Sequence, residues 1–340
     1  MGARLLKKGR VEELLNGWAA SRRVVVPGPG PDYEDFVPWK GQGFGLPPVN
    51  ARRSLKGVFF CRTDKLFRYD KRDGEVVFCE ELPEGHVVVF GARPCDVRGT
   101  AMIDPVFMED PDLHDPAYKT RRENSTTVVV GCDAPGPACF CTSIGGDPHG
   151  KEGADVILTD IGDAYLVETL TGKGEALMEG ASLEDAGEDD IKEAARRAEA
   201  ARGLVEKAFE IDGIKENLDG FFEHEYWKYM YEKCLGCGVC TYVCPTCHCF
   251  DVTDEERGPG YTRYRNWDSC QFALFTLHTS GHNPRPTGME RMRQRFMHKL
   301  NYFVHKYGVT ACVGCGRCVV NCPVNLDIRE VVREIGGIPR

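Results

Sequence analysis

The chain has 340 residues, 42% hydrophobic and 28% charged, the composition of a globular protein with room for two domains. Lys and Arg total 43 against 52 Asp and Glu, and the net charge of -9 excludes a general attraction to nucleic acid or an anionic membrane surface. No stretch reaches the roughly 18 apolar residues that span a bilayer, and Val11-Glu12-Glu13 puts charge where a signal-peptide core would lie.

In chain order, Leu5, Leu6, Val11, Leu14, Leu15 and Trp18 recur at near-helical spacing and predict an opening amphipathic helix. Residues 27–49, rich in Pro and Gly, read as a loop. Strand-like runs follow at Gly57–Cys61, Leu66–Tyr69 and Val76–Cys79, with Asp73-Gly74 as a hairpin turn between the last two. His86–Phe90 and Thr126–Val130 are continuous β-branched runs, expected of strands buried on both faces of a parallel sheet. Val97–Met108 supplies a crossover helix between them, so the βαβ unit brings Cys95 and Cys132 out at one sheet edge. Ala154–Leu158 and Ala164–Thr169 read as two more strands, 180–210 as a long solvated helix, and Ile214–Glu232 as a helix leading into a cysteine motif. The fold class is an α/β domain with a parallel or mixed sheet over 1–215, then a mostly helical domain over 216–340.

That second domain carries the strongest signal. Cys234, Cys237, Cys240 and Cys244 precede Pro245, and Cys312, Cys315, Cys318 and Cys322 precede Pro323. Three cysteines two residues apart wrap one 4Fe-4S cubane, and the fourth, before proline, reaches the other. Cys234, Cys237, Cys240 and Cys322 therefore form one ligand set, and Cys312, Cys315, Cys318 and Cys244 the second. Gly236, Gly238, Gly314 and Gly316 take loop positions where a side chain would crowd the cluster. Zinc or a disulfide array is the plainer alternative, but zinc sites use separated pairs of ligands. The 67 residues between Cys244 and Cys312 exceed the hairpins of a compact ferredoxin. Near their end Met289, Met292, Phe296, Leu300, Phe303 and Tyr307 form a helical stripe, read as core. Arg291, Arg293, Arg295, His298 and Lys299 share that helix, either as a solvated face or as balance for cluster charge.

Nine cysteines remain. Cys61 and Cys79 read as small core residues in strands. Cys132, Cys139 and Cys141 sit in one Pro/Gly loop and, with Cys95, predict a third 4Fe-4S cluster, with Asp96 or Asp133 as an alternative to one thiolate. Cys247, Cys249 and Cys270 are open between a further cluster, a redox-active site and packing around the first cluster. So many thiols point to a reducing cytoplasm.

The segments Phe90-Gly91-Ala92-Arg93-Pro94-Cys95-Asp96, Cys139-Phe140-Cys141, Cys244-Pro245-Thr246-Cys247-His248-Cys249, Trp267-Asp268-Ser269-Cys270 and Met297-His298-Lys299-Leu300 together resemble one family. It is the sulfhydrogenase beta-subunit family, which extends to the dicluster electron-transfer component of anaerobic sulfite reductase. The resemblance implies an electron conduit in an anaerobic hetero-oligomer. It would link a flavin subunit using NAD(P)H or ferredoxin to a catalytic subunit such as a nickel–iron hydrogenase or a sulfite reductase. No G-x-G-x-x-G follows a strand and no P-loop occurs, so no flavin is expected in this chain. No nucleophile–base pair marks it as an enzyme. The alternative is a sulfur-compound reductase using a Cys-rich site of the chain directly.

Overall fold

The computed structural model describes residues 3–30, 34–72, 75–257 and 260–338. The chain divides into two compact units. The first holds Met1–Phe59, Pro83–Lys207 and Val313–Cys315, and the second holds Phe60–Leu82, Ala208–Cys312 and Gly316–Arg340. The strands, in chain order, are β1 Arg4–Lys7, β2 Arg23–Pro29, β3 Glu34–Pro38, β4 Thr63–Arg72, β5 Glu75–Cys79, β6 Val87–Ala92, β7 Ser125–Val130, β8 Val156–Asp160, β9 Ala164–Thr169, β10 Glu184–Asp185, β11 Phe250–Arg257 and β12 Gly260–Trp267.

In the first unit an eight-stranded mixed sheet runs β10-β1-β9-β8-β7-β6-β2-β3. Strands β2, β6, β7 and β8 are parallel neighbours, and the flanking pairs are antiparallel. All six residues of β7 are buried, as a strand covered on both faces requires. Leu15, Val88, Phe90, Val128, Val156 and Leu158 are fully buried in its core. The crossover helix between β6 and β7 is Pro94–Met108.

Three local expectations change. The opening helix is confined to Val11–Ala19, because Leu5 and Leu6 lie on β1 and face opposite sides of the sheet, a two-sided burial that helical spacing mimics. Residues 27–49 contain the end of β2 and all of β3. Pro27 and Pro29 lie past the β2–β6 ladder, which ends at Val25, so their missing N–H groups break no central hydrogen bond. The run from Gly57 joins a short helix, Lys56–Phe59, rather than a strand, the ambiguity inherent in short apolar runs. The acidic helix is Glu188–Gly203, and the segment before the first motif is two helices, Ile214–Asp219 and Tyr226–Glu232, separated after Gly220.

The second unit is helical around the cysteine motifs and also holds a four-stranded antiparallel sheet, β11-β12-β4-β5. A buried ion pair, Arg265 to Asp64 at 2.8 Å, joins β12 to β4, with the guanidinium over the Phe60 ring at 5.0 Å. Breaking such a pair by removing one partner costs roughly 3–5 kcal/mol. The expected Asp73-Gly74 turn lies outside the described residues. The helical stripe forms Gly288–Met297, a π-turn at His298–Tyr302, and Phe303–Tyr307. Phe296 and the fully buried Trp227 stack at 6.2 Å in its core.

Candidate metal centres

The two cysteine motifs fold alike. Gly236 and Gly238 have φ of 65° and 75°, and Gly314 and Gly316 have 64° and 72°, a left-handed pair that only glycine adopts without strain. Each loop ends in a short helix, Val239–Tyr242 or Arg317–Val320, that carries its third cysteine, Cys240 or Cys318. Backbone N–H groups point at sulfur: Gly236 N donates to Cys234 Sγ at 3.3 Å, and Leu326 N to Cys322 Sγ at 3.2 Å. Such donors stabilise a ligating thiolate.

The fourth cysteine of the first motif is the most enclosed. Cys244 is buried, and its sulfur faces the thiol of Cys247, the ammonium of Lys299 and the Thr246 hydroxyl. These contacts hold Cys244 well below the usual thiol range against the cost of burial, while Cys247, beside that negative sulfur, is pushed well above it. A sulfur met by an ammonium and a hydroxyl suits an iron ligand.

In the first unit the crossover places four cysteines around one cavity. Strands β6 and β7 are parallel neighbours, and Cys95, Cys132, Cys139 and Cys141 line a cavity of about 110 Å³ beside Arg98, Asp147 and Cys315. Arg93, at the end of β6, braces this edge. Its Nε donates to Val49 O at 2.8 Å, Nη1 to Gly131 O at 2.7 Å and Nη2 to Pro47 O at 3.1 Å. Asp96 is 1% exposed and accepts from Arg93 N at 3.2 Å and Leu55 N at 3.3 Å. Asp133 accepts from or shares a proton with His149 Nε2 at 2.8 Å. Neither carboxylate lines the cavity, so the substitute-ligand reading loses its geometry. Burial pushes the Cys141 thiol up to about 12, with Cys139 and Cys132 adding to the shift. Burial also raises Cys132. Such a nest of thiols is costly to ionise alone and suits a polynuclear cation.

Among the described residues no three His, Cys, Asp or Glu side chains converge as a single metal ion needs. Four thiolates on the corners of a cubane stand further apart than that. All seventeen cysteines are free of disulfides. Cys247 partners Cys244, and Cys270 is hydrogen-bonded to Cys249 and pushed well above its usual range by that bond and by burial. Cys61 lies outside any strand and Cys79 ends β5; both are half-buried rather than core.

The solvated-face reading of the basic helix fails. Arg293, Arg295 and Lys299 are 8%, 4% and 3% exposed. A signal was present, because Met292, Phe296, Lys299 and Phe303 keep the same three-to-four spacing as the apolar stripe. Asn50, whose Nδ2 donates to Cys315 O at 3.1 Å, had no such signal within its Pro/Gly-rich surroundings.

A family model described as a 4Fe-4S dicluster domain matches residues 233–326, which contain all eight motif cysteines. Sulfhydrogenase 2 subunit beta of Pyrococcus furiosus is 36% identical over 281 residues, covering 82% of this chain and 81% of that protein. The chain belongs to the sulfhydrogenase beta-subunit family. The dicluster domain of this family member carries two 4Fe-4S clusters, and its chemistry is iron–sulfur electron transfer. No solved structure matches the chain. Among the described residues, no helix is long and apolar enough to cross a membrane.

Proposed function

We propose that the chain is the iron–sulfur relay of a cytoplasmic, anaerobic hetero-oligomeric oxidoreductase. It takes electrons from, or delivers them to, a flavin-containing subunit linked to NAD(P)H or ferredoxin. A catalytic subunit of hydrogenase or sulfite reductase type stands at the other end. The hydrogenase arm is favoured by the relative, which is a sulfhydrogenase subunit.

In this reading Cys234, Cys237, Cys240 and Cys322 hold one cluster, and Cys312, Cys315, Cys318 and Cys244 hold the second. Cys95, Cys132, Cys139 and Cys141 hold a third. Bound there, the clusters supply one-electron storage. The chain's own residues orient the thiolates, donate N–H bonds to them and exclude water. The observation that carries the longer wire is the single cavity shared by the four N-terminal thiols and Cys315. Phe140 N donates to Gly314 O at 2.8 Å, and Asn50 holds the Cys315 carbonyl, so this part of the second loop is fixed beside the N-terminal thiols. Cys247 and Cys270 are buried, which weighs against direct attack on a sulfur substrate.

Iron and acid-labile sulfide on anaerobically purified protein test this. About twelve irons per chain are expected from three cubanes, and about eight in Cys95→Ser. Equal iron in the two proteins refutes the N-terminal site and leaves the two-cluster relay standing. Turnover of a sulfur compound by the isolated chain refutes the relay role itself.

A further inference from the structure

Two buried cations stand among the motif cysteines with no carboxylate hydrogen-bonded to either among the described residues. Lys299, on the π-turn, is 3% exposed and directs all three ammonium protons inside the protein. Its Nζ donates to Cys244 Sγ at 3.2 Å, Thr246 Oγ1 at 3.1 Å and Ala311 O at 3.0 Å. Among the described residues none of these partners is a carboxylate. Arg295, one turn earlier, is 4% exposed, and its Nε has no hydrogen-bond partner among the described residues. The sulfurs of Cys240, Cys318, Cys247 and Cys244 lie within electrostatic reach of its charge. Burying a cation without an anion is heavily disfavoured, so the sulfurs are the counter-charge these two side chains are built to meet.

The two cations are not equivalent. Arg295 faces sulfurs from both proposed ligand sets, so it favours electrons on either cluster. Lys299 donates to one ligand only, and that ligand belongs to the second set.

We propose that Lys299 is a potential-setting residue that makes the cluster held by Cys312, Cys315, Cys318 and Cys244 the electron-accepting member of the dicluster pair. A cubane with four thiolates is a dianion when oxidised and a trianion when reduced. The ammonium proton on Cys244 Sγ favours the trianion. The one sulfur that Lys299 donates to, Cys244 Sγ, belongs to the second set and not to the first, so the reduction potentials split. With clusters held by the two ligand sets, transfer would move one electron from the first to the second, oxidising the one and reducing the other by a single electron. Lys299 keeps its proton throughout, so no proton crosses with the electron.

The inference rests on the proposed ligation by Cys244, which the iron count tests separately. Its own test is a redox titration followed by EPR on the complete chain with its clusters. In Lys299→Met the reduction equilibrium of one dicluster signal is expected to move at least tenfold toward the oxidised form. That is about 59 mV more negative for a one-electron couple. The other signals should stay near their parent values, and Lys299→Arg should restore most of the shift. Unchanged midpoints with full iron content overturn the proposal, as does an equal shift of every cluster. If Lys299→Met loses a cluster, pulsed EPR on the parent protein labelled with ¹⁵N-lysine decides. A ¹⁵N coupling present in one cluster signal and lost in Lys299→Arg upholds the assignment, and its absence from the parent overturns it.

Discussion

In the first cysteine loop Cys237 is exposed and Leu235 stands 69% exposed, whereas in the second Cys312 is buried and Val313 is 2% exposed. The backbone torsions of the paired glycines agree within a few degrees. The motif therefore dictates the wrap around a cubane, and the surroundings dictate everything the cubane's electron feels. The second loop meets packed backbone at Gly314, and the buried ammonium of Lys299 ties Ala311, just before that loop, to Cys244 at the end of the first motif; the first loop meets water at its middle cysteine, Cys237. Water and exposed dipoles stabilise charge by rearranging, while a fixed N–H···S bond does so in advance. Two copies of one binding motif thus stand in two different surroundings.

Substituting the paired glycines is the strongest way to break this comparison. A Cβ on Gly314 would lie 2.5 Å from both N and Cα of Cys141 and 2.6 Å from the Phe140 carbonyl carbon, all of it backbone. On Gly236 the nearest atom, Gln271 O, is 3.7 Å away. Both alanines carry the cost of the left-handed torsion, about 1–2 kcal/mol. Gly314→Ala adds an overpacking cost against backbone and should total roughly 3–5 kcal/mol. Anaerobic denaturation with iron analysis should find Gly314→Ala short of the iron of the second and the proposed N-terminal sites, with Gly236→Ala near the parent. Equal losses in the two variants would mean that the loops are equally confined.

A second test reads accessibility directly. Oxidation by ferricyanide in the presence of a chelator should remove the cluster proposed at Cys237 first, because that cysteine is exposed. The order follows from EPR, using Cys237→Ser and Cys312→Ser proteins to label the two signals. Loss of the second-loop signal first would reverse the assignment of buried and exposed stations.

How much of this could be read beforehand depends on where each piece of information lies. The dicluster domain was legible because the spacing of its cysteine motifs is local and set by the dimensions of a cluster. Cys95 and Cys132 were legible through topology, since parallel β6 and β7 must present their following loops at one edge. Of the sheet β11-β12-β4-β5, the runs in β4 and β5 were legible but β11 and its pairing were not: Asp254, Glu255, Glu256 and Arg257 hide any alternation, and the β12–β4 ladder joins segments far apart in the chain. Lys299 was visible at a core register of the helical stripe, but its residue type argued for solvent. Charge alone predicts exposure until a buried partner is known, and here the proposed partner is a sulfur ligated to metal.

The smallest expected difference is also the cleanest control on the comparison. Leu235 and Val313 occupy the same position in their motifs, immediately after the first cysteine. Val313→Ala removes two buried methyl groups and should cost about 2 kcal/mol. Leu235→Ala removes a larger side chain that is already 69% exposed, and should fall within about 0.5 kcal/mol of the parent. Denaturant midpoints measured anaerobically, with iron content held equal, give both numbers. If Leu235→Ala proves the costlier, the first loop is covered in solution, and Cys237 is no longer the open end of the proposed relay.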